Sequence, residues 1–437
     1  MKFMNIVMIS VAACALVLIP GCKKNSDIQS TPPVVTTKPV IILNSSSVIS
    51  GGEITSTTTL IDKGIIWGTD SSDLTVSSNR ISNGASLSSF TDTIQLLRPN
   101  TTYYVKAYAA NSIKVSYGAA IKFTTPPTVY VAGYNGDSAA YWKDGKLFSL
   151  PNGTYAHSVY VVGNDVYVAG ESNKGNLLAV YWKNGIPVQL TDGTNAASAN
   201  SIYVVGNDVY VGGYELYNNT PNLPVAKYWK NGVPVSLTDS TLSNTGIVNS
   251  VFVVGTDVYA AGFTANGYMG DSVATYWKNG IAIPLTDSTK SIATAQSIFV
   301  NDSDVYVAGN EKNQSGIGGN SVAIYWKNGT PVPLTDGSQH AGAYSIFVNG
   351  SDVYTAGYEY SGLTGYSVGK YWKNGVPVSL TDSTTNGNAY SIFVLNRDVY
   401  VAGGEDNYLD AKCWKNGVPL PLEINAQYSR SVSIFVQ

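Results

Sequence analysis

The chain has 437 residues, of which 13% are charged, with a net charge of −3. That balance offers no basic face to nucleic acid, and the length admits two or three domains. Its 43 glycines and 31 tyrosines favour many short strands joined by tight turns.

The first 22 residues read as a targeting segment and stand outside the fold. Lys2 supplies the positive start, and Ile6–Ile19 is an apolar stretch too short to span a bilayer as a helix. Ile19-Pro20-Gly21-Cys22 resembles the lipobox of bacterial lipoproteins. That resemblance implies a lipidated Cys22, a membrane contact made through the lipid, and an outer-membrane lipoprotein on the cell surface or the periplasmic face. Each buried CH2 of such an anchor contributes ~0.8 kcal/mol. Cys14 leaves with the signal, so Cys413 is the one thiol left without lipid, and no internal disulfide is expected. Cys413 stands where six other copies of the repeat described below have Tyr, which reads as a buried core thiol.

Lys23–Pro39 is rich in Ser, Thr and Pro and reads as an extended tether. Residues 40–126 alternate apolar and polar in short runs broken by Gly, Asn and Pro, the pattern of an all-β sandwich. Leu97-Arg98-Pro99-Asn100-Thr101-Thr102-Tyr103-Tyr104-Val105-Lys106-Ala107-Tyr108 resembles the fibronectin type III motif around its tyrosine, and Val115–Thr125 resembles that family's last strand. Trp67 is expected as the core indole. The resemblance implies a spacer or interaction module.

Residues 128–437 hold seven copies of one pattern, S-I-F-V-x-x-x-D-V-Y-V-A-G, a variable loop, then Y-W-K-N-G-x-P-V-x-L-T-D. The tryptophans Trp142, Trp182, Trp229, Trp277, Trp326, Trp372 and Trp414 recur every 40 to 49 residues, a period that marks a propeller or solenoid. Each copy carries four strand signals, and its Asn-Gly (Asp144-Gly145 in the first copy) is a hairpin turn. Four antiparallel strands make one propeller blade. The first copy starts at Val129 without its S-I-F-V strand, and Ser433–Gln437 supplies that strand. The expected architecture is therefore all-β: a fibronectin type III-like sandwich followed by a seven-bladed β-propeller. Pairing of the C-terminal strand with the first repeat closes it. The repeat layout resembles that of Kelch-type propellers, although the paired glycines of that family, at the end of strand two, appear only at Gly212-Gly213 and Gly403-Gly404.

Comparing copies within the chain sorts structure from function. The tyrosines of strand two, the K-N-G turns and the aspartates before strand two recur, and so serve the sheet. The last are assigned to local turns. Loops one-two and three-four share one end and are short. Loops two-three and four-one share the other end and are long and variable, which is where binding residues concentrate. Two groups converge there. The residues before the recurrent Ser of strand one, His157, Asn200, Asn249, Gln296, Tyr344 and Tyr390 with Val432, would ring the channel mouth. The loops contribute Tyr214, Tyr217, Tyr268, Tyr358, Tyr360, Tyr366 and Tyr408, with Glu171, Glu215, Glu311, Glu359 and Glu405 near their starts. Aromatic rings with amides suit a glycan, and Tyr-rich surfaces also suit a protein partner.

No G-x-S-x-G, P-loop or H-E-x-x-H occurs, and two histidines with Cys413 make no zinc site. No catalytic residue, metal ligand or cofactor is assigned. The leading expectation is a monomeric, non-catalytic envelope lipoprotein that binds a glycan or an envelope protein. The alternatives are a hydrolase or lyase that uses loop glutamates, and a purely structural envelope protein.

Overall fold

The computed structural model describes residues 31–55, 59–173, 176–217, 223–239, 245–265, 271–287, 291–313, 319–405 and 410–437. Strands make up the regular structure, and no helix occurs among the described residues. Two compact units result. One takes residues 31–43, Ser47–Leu96 and Thr102–Thr124, and the other takes Asn44–Ser46, Leu97–Thr101 and Thr125–Gln437.

The smaller unit has two antiparallel sheets. In one, Ser47–Ile54 pairs with Val35–Thr37, Ile41–Asn44 and Phe90–Ile94. In the other, Asn79–Ser82, Asp62–Gly68, Thr102–Ala110 and Val115–Tyr117 lie in that order, and Ile121–Thr124 pairs with Thr102–Val105. Ile65, Ile94, Val48 and Val105 are fully buried. Two expectations change here. Val35–Thr37, read as tether, form a strand against Gly52–Ile54, because the alternation Val-Thr-Thr buries Val35 and Thr37 and brings Thr37 Oγ1 to the Ala107 N–H at 3.0 Å. Trp67 is only half-buried, and its neighbour Ile66 takes the inner position against Leu74 and Tyr108.

Among its described residues the larger unit contains seven four-stranded antiparallel sheets. The second to seventh are continuous in sequence: Gly153–Gln189, Ala197–Ser236, Thr245–Pro284, Ser291–Pro333, Ala341–Ser379 and Asn388–Leu420. The first joins distant parts of the chain. Val129–Asn135, Ser138–Lys143 and Lys146–Ser149 are completed by Ser429–Val436, with Val131 opposite Ile434 and Val129 opposite Val436. This all-β, repeated four-strand layout is that of a β-propeller.

The sheets pack through the repeated apolar residues. Each of the seven tryptophans is at most 1% exposed. Trp182, for example, lies among Ala139, Leu150 and Val168, and its indole N–H donates to the Pro151 carbonyl at 3.0 Å. Two circuits tie strand one of every sheet to the next. Ser158 Oγ accepts from the Ile202 N–H, Ser201 from Val251, Ser250 from Ile298, Ser297 from Ile346, Ser345 from Ile392, Ser391 from Ile434 and Ser433 from Val159, all at 3.0–3.3 Å. The rings of Tyr160, Tyr203, Phe252, Phe299, Phe347, Phe393 and Phe435 also form a closed series, with neighbouring centroids 4.7–5.1 Å apart.

The short-turn end repeats one polar device. In each Asn-Gly turn both residues have positive φ, near +50° and +80°, the geometry of a type I′ hairpin. The turn Asn also caps strand two: Asn279 Oδ1 accepts from the Val258 N–H at 2.9 Å, and its Nδ2 donates to Asp257 Oδ1 at 2.8 Å. Lys278 bridges to Asp257 at 3.0 Å and lies over the Tyr259 ring. The same set recurs around Asp165, Asp208, Asp304, Asp352 and Asp398. These aspartates therefore tie one hairpin to the next, instead of serving the local turns expected of them.

Candidate functional site

The long-loop end is shaped by a β-bulge in strand one of every sheet. The pairing skips one residue between Ala156 and Ser158, Ala199 and Ser201, Val248 and Ser250, Ala295 and Ser297, Ala343 and Ser345, and Ala389 and Ser391. The skipped residues are His157, Asn200, Asn249, Gln296, Tyr344 and Tyr390, and Val432 is skipped in the first sheet. A bulge re-aims the extra side chain, and all seven residues are half-buried. Opposite each bulge, strand two carries a glycine. A Cβ on Gly262 would lie 1.9 Å from the Ile247 carbonyl oxygen, and the other six sheets show the same approach at 1.8–2.1 Å. Glycine is required there because the bulged backbone occupies the place of a side chain.

The bulge residues fall into three groups. Tyr344 stacks on Tyr358 at 5.5 Å and tilts against Tyr390 at 5.4 Å. Tyr358 touches Tyr360, Tyr360 meets the His340 ring edge-on, and the Arg430 guanidinium lies 4.2 Å over Tyr390. The result is one unbroken aromatic arc across the sixth and seventh sheets. In contrast, Asn200 and Asn249 donate to the Val248 and Ala295 carbonyls of the following sheet at 2.8 and 2.9 Å. Gln296 bonds Thr294 of its own strand at 3.2 Å. Asn200 and Asn249 thus tie neighbouring sheets together, whereas Gln296 stays within its own strand.

The third group is His157. Its Nε2 lies 3.3 Å from Glu171 Oε1, and its ring stacks on Tyr155. Burial pushes the Glu171 carboxyl up, but hydrogen bonds with His157 and Ser198 hold it below its ordinary value. Burial first, and the Glu171 charge second, push the Tyr214 phenol up. The five loop glutamates are thus not one set. Glu171 pairs in register with Tyr155, whereas Glu215, Glu311 and Glu359 pair with Ala197, Ala293 and Ala341, one step further out. Glu215 and Glu359 form ion pairs with Lys227 at 2.5 Å and Lys370 at 2.6 Å. Glu405 lies 3.5 Å from Lys412.

Of the loop tyrosines, Tyr214, Tyr358 and Tyr360 reach this end of the sheets. Tyr217 is held by Lys227, and Tyr366 is 41% exposed on its loop. Tyr268, Tyr408 and Cys22 lie outside the described residues. No cluster of metal-ligating side chains occurs among the described residues. Cys413 is buried, and burial pushes its thiol up to about 12, so it is protonated and unreactive at neutral pH.

The aromatic circuit is absent from the residues singled out by sequence. It lies at the short-turn end, where Tyr160, Tyr203 and Phe252 line a cavity of about 710 Å³ with Val162, Val205 and Val254. Its signal was the aromatic residue of S-I-F-V, present in every copy.

No family model matches the chain, and no curated protein matches it. Among solved structures, it is similar to the β-propeller domain of the trilobed protease from Pyrococcus furiosus, described as having an open velcro topology. That likeness has 9% identity and a TM-score of 0.39 over 80% of this chain and 96% of that one. It is also similar to hydrazine synthase from Kuenenia stuttgartiensis, at 11% identity and a TM-score of 0.39 over 71% and 46%. A DUF4784 family protein from Bacteroides caccae shows 10% identity and a TM-score of 0.27 over 92% and 98%.

Proposed function

We propose that the chain is a non-catalytic lipoprotein of the bacterial envelope whose long-loop mouth binds a neutral glycan. In this reading, a lipid on Cys22 and a short tether carry a fibronectin type III-like module and a seven-bladed β-propeller. The two closed circuits of serines and aromatic rings support seven blades around one axis. The sandwich strand order, with strands three to six of the chain split between two antiparallel sheets, supports the fibronectin-type module. The glycan assignment rests on one observation, the aromatic arc from Tyr360 through Tyr358 and Tyr344 to Tyr390. Flat rings cover the apolar faces of sugars, and in this reading the neighbouring amides of Asn200, Asn249 and Gln296 offer hydrogen-bonding groups to hydroxyls.

A glycan array probed with the purified full chain tests this. Tyr358→Ala and Tyr390→Ala should each weaken binding about tenfold, roughly 1.4 kcal/mol, with the melting temperature unchanged. Unaltered affinity in both variants would remove the arc from the site. A second reading, a glycan hydrolase or lyase, is favoured by the His157–Glu171 pair. Release of sugar products that stops in Glu171→Gln would establish it instead.

A further inference from the structure

The first sheet differs from the other six at its long-loop end. Only Gly136 and Asp137 join its second and third strands, where the other sheets have three residues or more. The Gly136 N–H donates to the Tyr428 carbonyl at 2.8 Å, and the Tyr428 hydroxyl donates to Asp137 Oδ1. Tyr428 is thereby held upright against the turn. Between them opens a pocket of about 340 Å³, lined by Tyr134, Gly136, Asp137, Thr154, Tyr155 and Tyr428. The Tyr134 and Tyr155 rings meet at 80° with centroids 5.4 Å apart. Three phenols and one carboxylate face this space, and no lysine, arginine or histidine is among its lining residues.

The rest of the molecule shows what such a set attracts. In six sheets a carboxylate and a tyrosine face at the short-turn end hold a lysine ammonium, 5.2–5.4 Å from the ring centroid. At the long-loop end of the third sheet, Glu215 and Tyr217 hold Lys227 in the same way. The pocket beside Asp137 repeats the carboxylate and multiplies the rings, but supplies no cation of its own. The negative face of a phenol ring attracts a cation, most strongly one whose methyl groups shed water easily. The Asp137 hydrogen bond first, then desolvation and the Asp137 charge, push the Tyr428 phenol up.

We propose that this pocket is a cage for a small organic cation bearing a quaternary or methylated ammonium, with Tyr134, Tyr155 and Tyr428 as walls and Asp137 as counter-ion. This assignment goes beyond the glycan reading and does not depend on it. The volume lies at the lower end of the range for small-molecule sites, ~300–1,000 Å³, which suits a ligand of choline's size.

The test is calorimetric titration of the purified full chain with choline and with its neutral isostere 3,3-dimethylbutan-1-ol, in which carbon replaces nitrogen. Choline should bind saturably with one site per chain, and the isostere about tenfold more weakly. Asp137→Asn and Tyr155→Leu should each weaken choline about tenfold, whereas Tyr155→Phe, which keeps the ring, should stay within about threefold. Glycan binding at the Tyr358 arc should be untouched by Asp137→Asn, so loss of one site is distinguishable from loss of the other. If Tyr155→Leu fails to fold, Asp137→Asn and the isostere still decide. Absence of saturable choline binding at millimolar concentration, equal binding of the isostere, or an Asp137→Asn variant of unchanged affinity would each overturn the proposal.

Discussion

The two ends of the seven-sheet unit are made by opposite relations between copies. At the short-turn end nearly every sheet repeats the same Asp, Lys, Asn and Tyr with distances that agree within a few tenths of an ångström. At the long-loop end the backbone repeats, bulge for bulge and glycine for glycine, while the side chain placed on the bulge changes from His to Asn, Gln, Tyr and Val. A position fixed in both backbone and chemistry holds the sheets together. A position fixed in backbone but free in chemistry presents a choice of groups on a constant frame, and the tyrosine arc and the His157–Glu171 pair both arise there.

The most severe way to break this comparison is to remove the closure that both ends share. Deletion of Ser429–Gln437 strips Ile434 and Val436 from the first sheet. Each contributes ~1.5–3 kcal/mol by burial, and each backbone bond ~0.5–1.5 kcal/mol, a sum that rivals the ~5–15 kcal/mol stability of a domain. The variant should lose cooperative thermal unfolding and associate through bare strand edges, as read by calorimetry and sedimentation. A monomer with an unchanged melting temperature would contradict the closure.

A sharper test separates the frame from what it carries. Gly262→Ala places a Cβ against the Ile247 carbonyl, and backbone there cannot yield as a side chain would. Overpacking of this kind costs about 1–3 kcal/mol, measured by urea denaturation. Exchange of the neighbouring bulge residue, Asn249→Gln, should cost less. Equal losses would mean that the bulge is not a constant frame.

The smallest expected effect concerns the short-turn end in acid. The folded-state values of all six aspartates lie below 3.8; the Asn bond is the main cause at Asp165, Asp208 and Asp257, and the Lys partner at Asp304, Asp352 and Asp398. A carboxyl lowered on folding stabilises the protein above its unfolded value and loses that contribution as pH falls through the folded one. Their contribution should therefore be flat from pH 7 to about 4 and decline below about 3.8. Each pair is exposed and screened by solvent, so the individual effect is small. Asn279→Ala should reduce the acid slope at Asp257, and an identical pH–melting profile would argue against the network.

Much of the larger unit was legible because the repeat supplies its own controls. The Asn-Gly dipeptides marked the hairpins, the tryptophan period counted the sheets, and the split S-I-F-V strand pointed to the pairing of Ser429–Val436 with Val129–Asn135. What escaped was one-residue geometry. A bulge breaks the period-two alternation, so no pattern announced that His157 or Tyr344 is an extra residue. Glu171 follows its glycine directly, whereas Glu215, Glu311, Glu359 and Glu405 stand one residue later. Counting from that glycine would have separated them. That Asn200 and Asn249 bond the next sheet's backbone depends on a spacing between sheets that local sequence does not encode. The smaller unit has no internal copy to compare, and there the Val35–Thr37 strand and the half-buried Trp67 depart from what the sequence leads one to expect.

The split first sheet has a consequence for biosynthesis. Val129–Asn135 leaves the ribosome nearly 300 residues before its partner, an interval of roughly 15–60 s at ordinary elongation rates. Throughout that time the growing molecule is an open arc with an unsatisfied edge at either extremity, vulnerable to joining another nascent chain. Any factor that shields Val129–Asn135 until Ser429–Val436 emerges would decide how much of the product closes on itself.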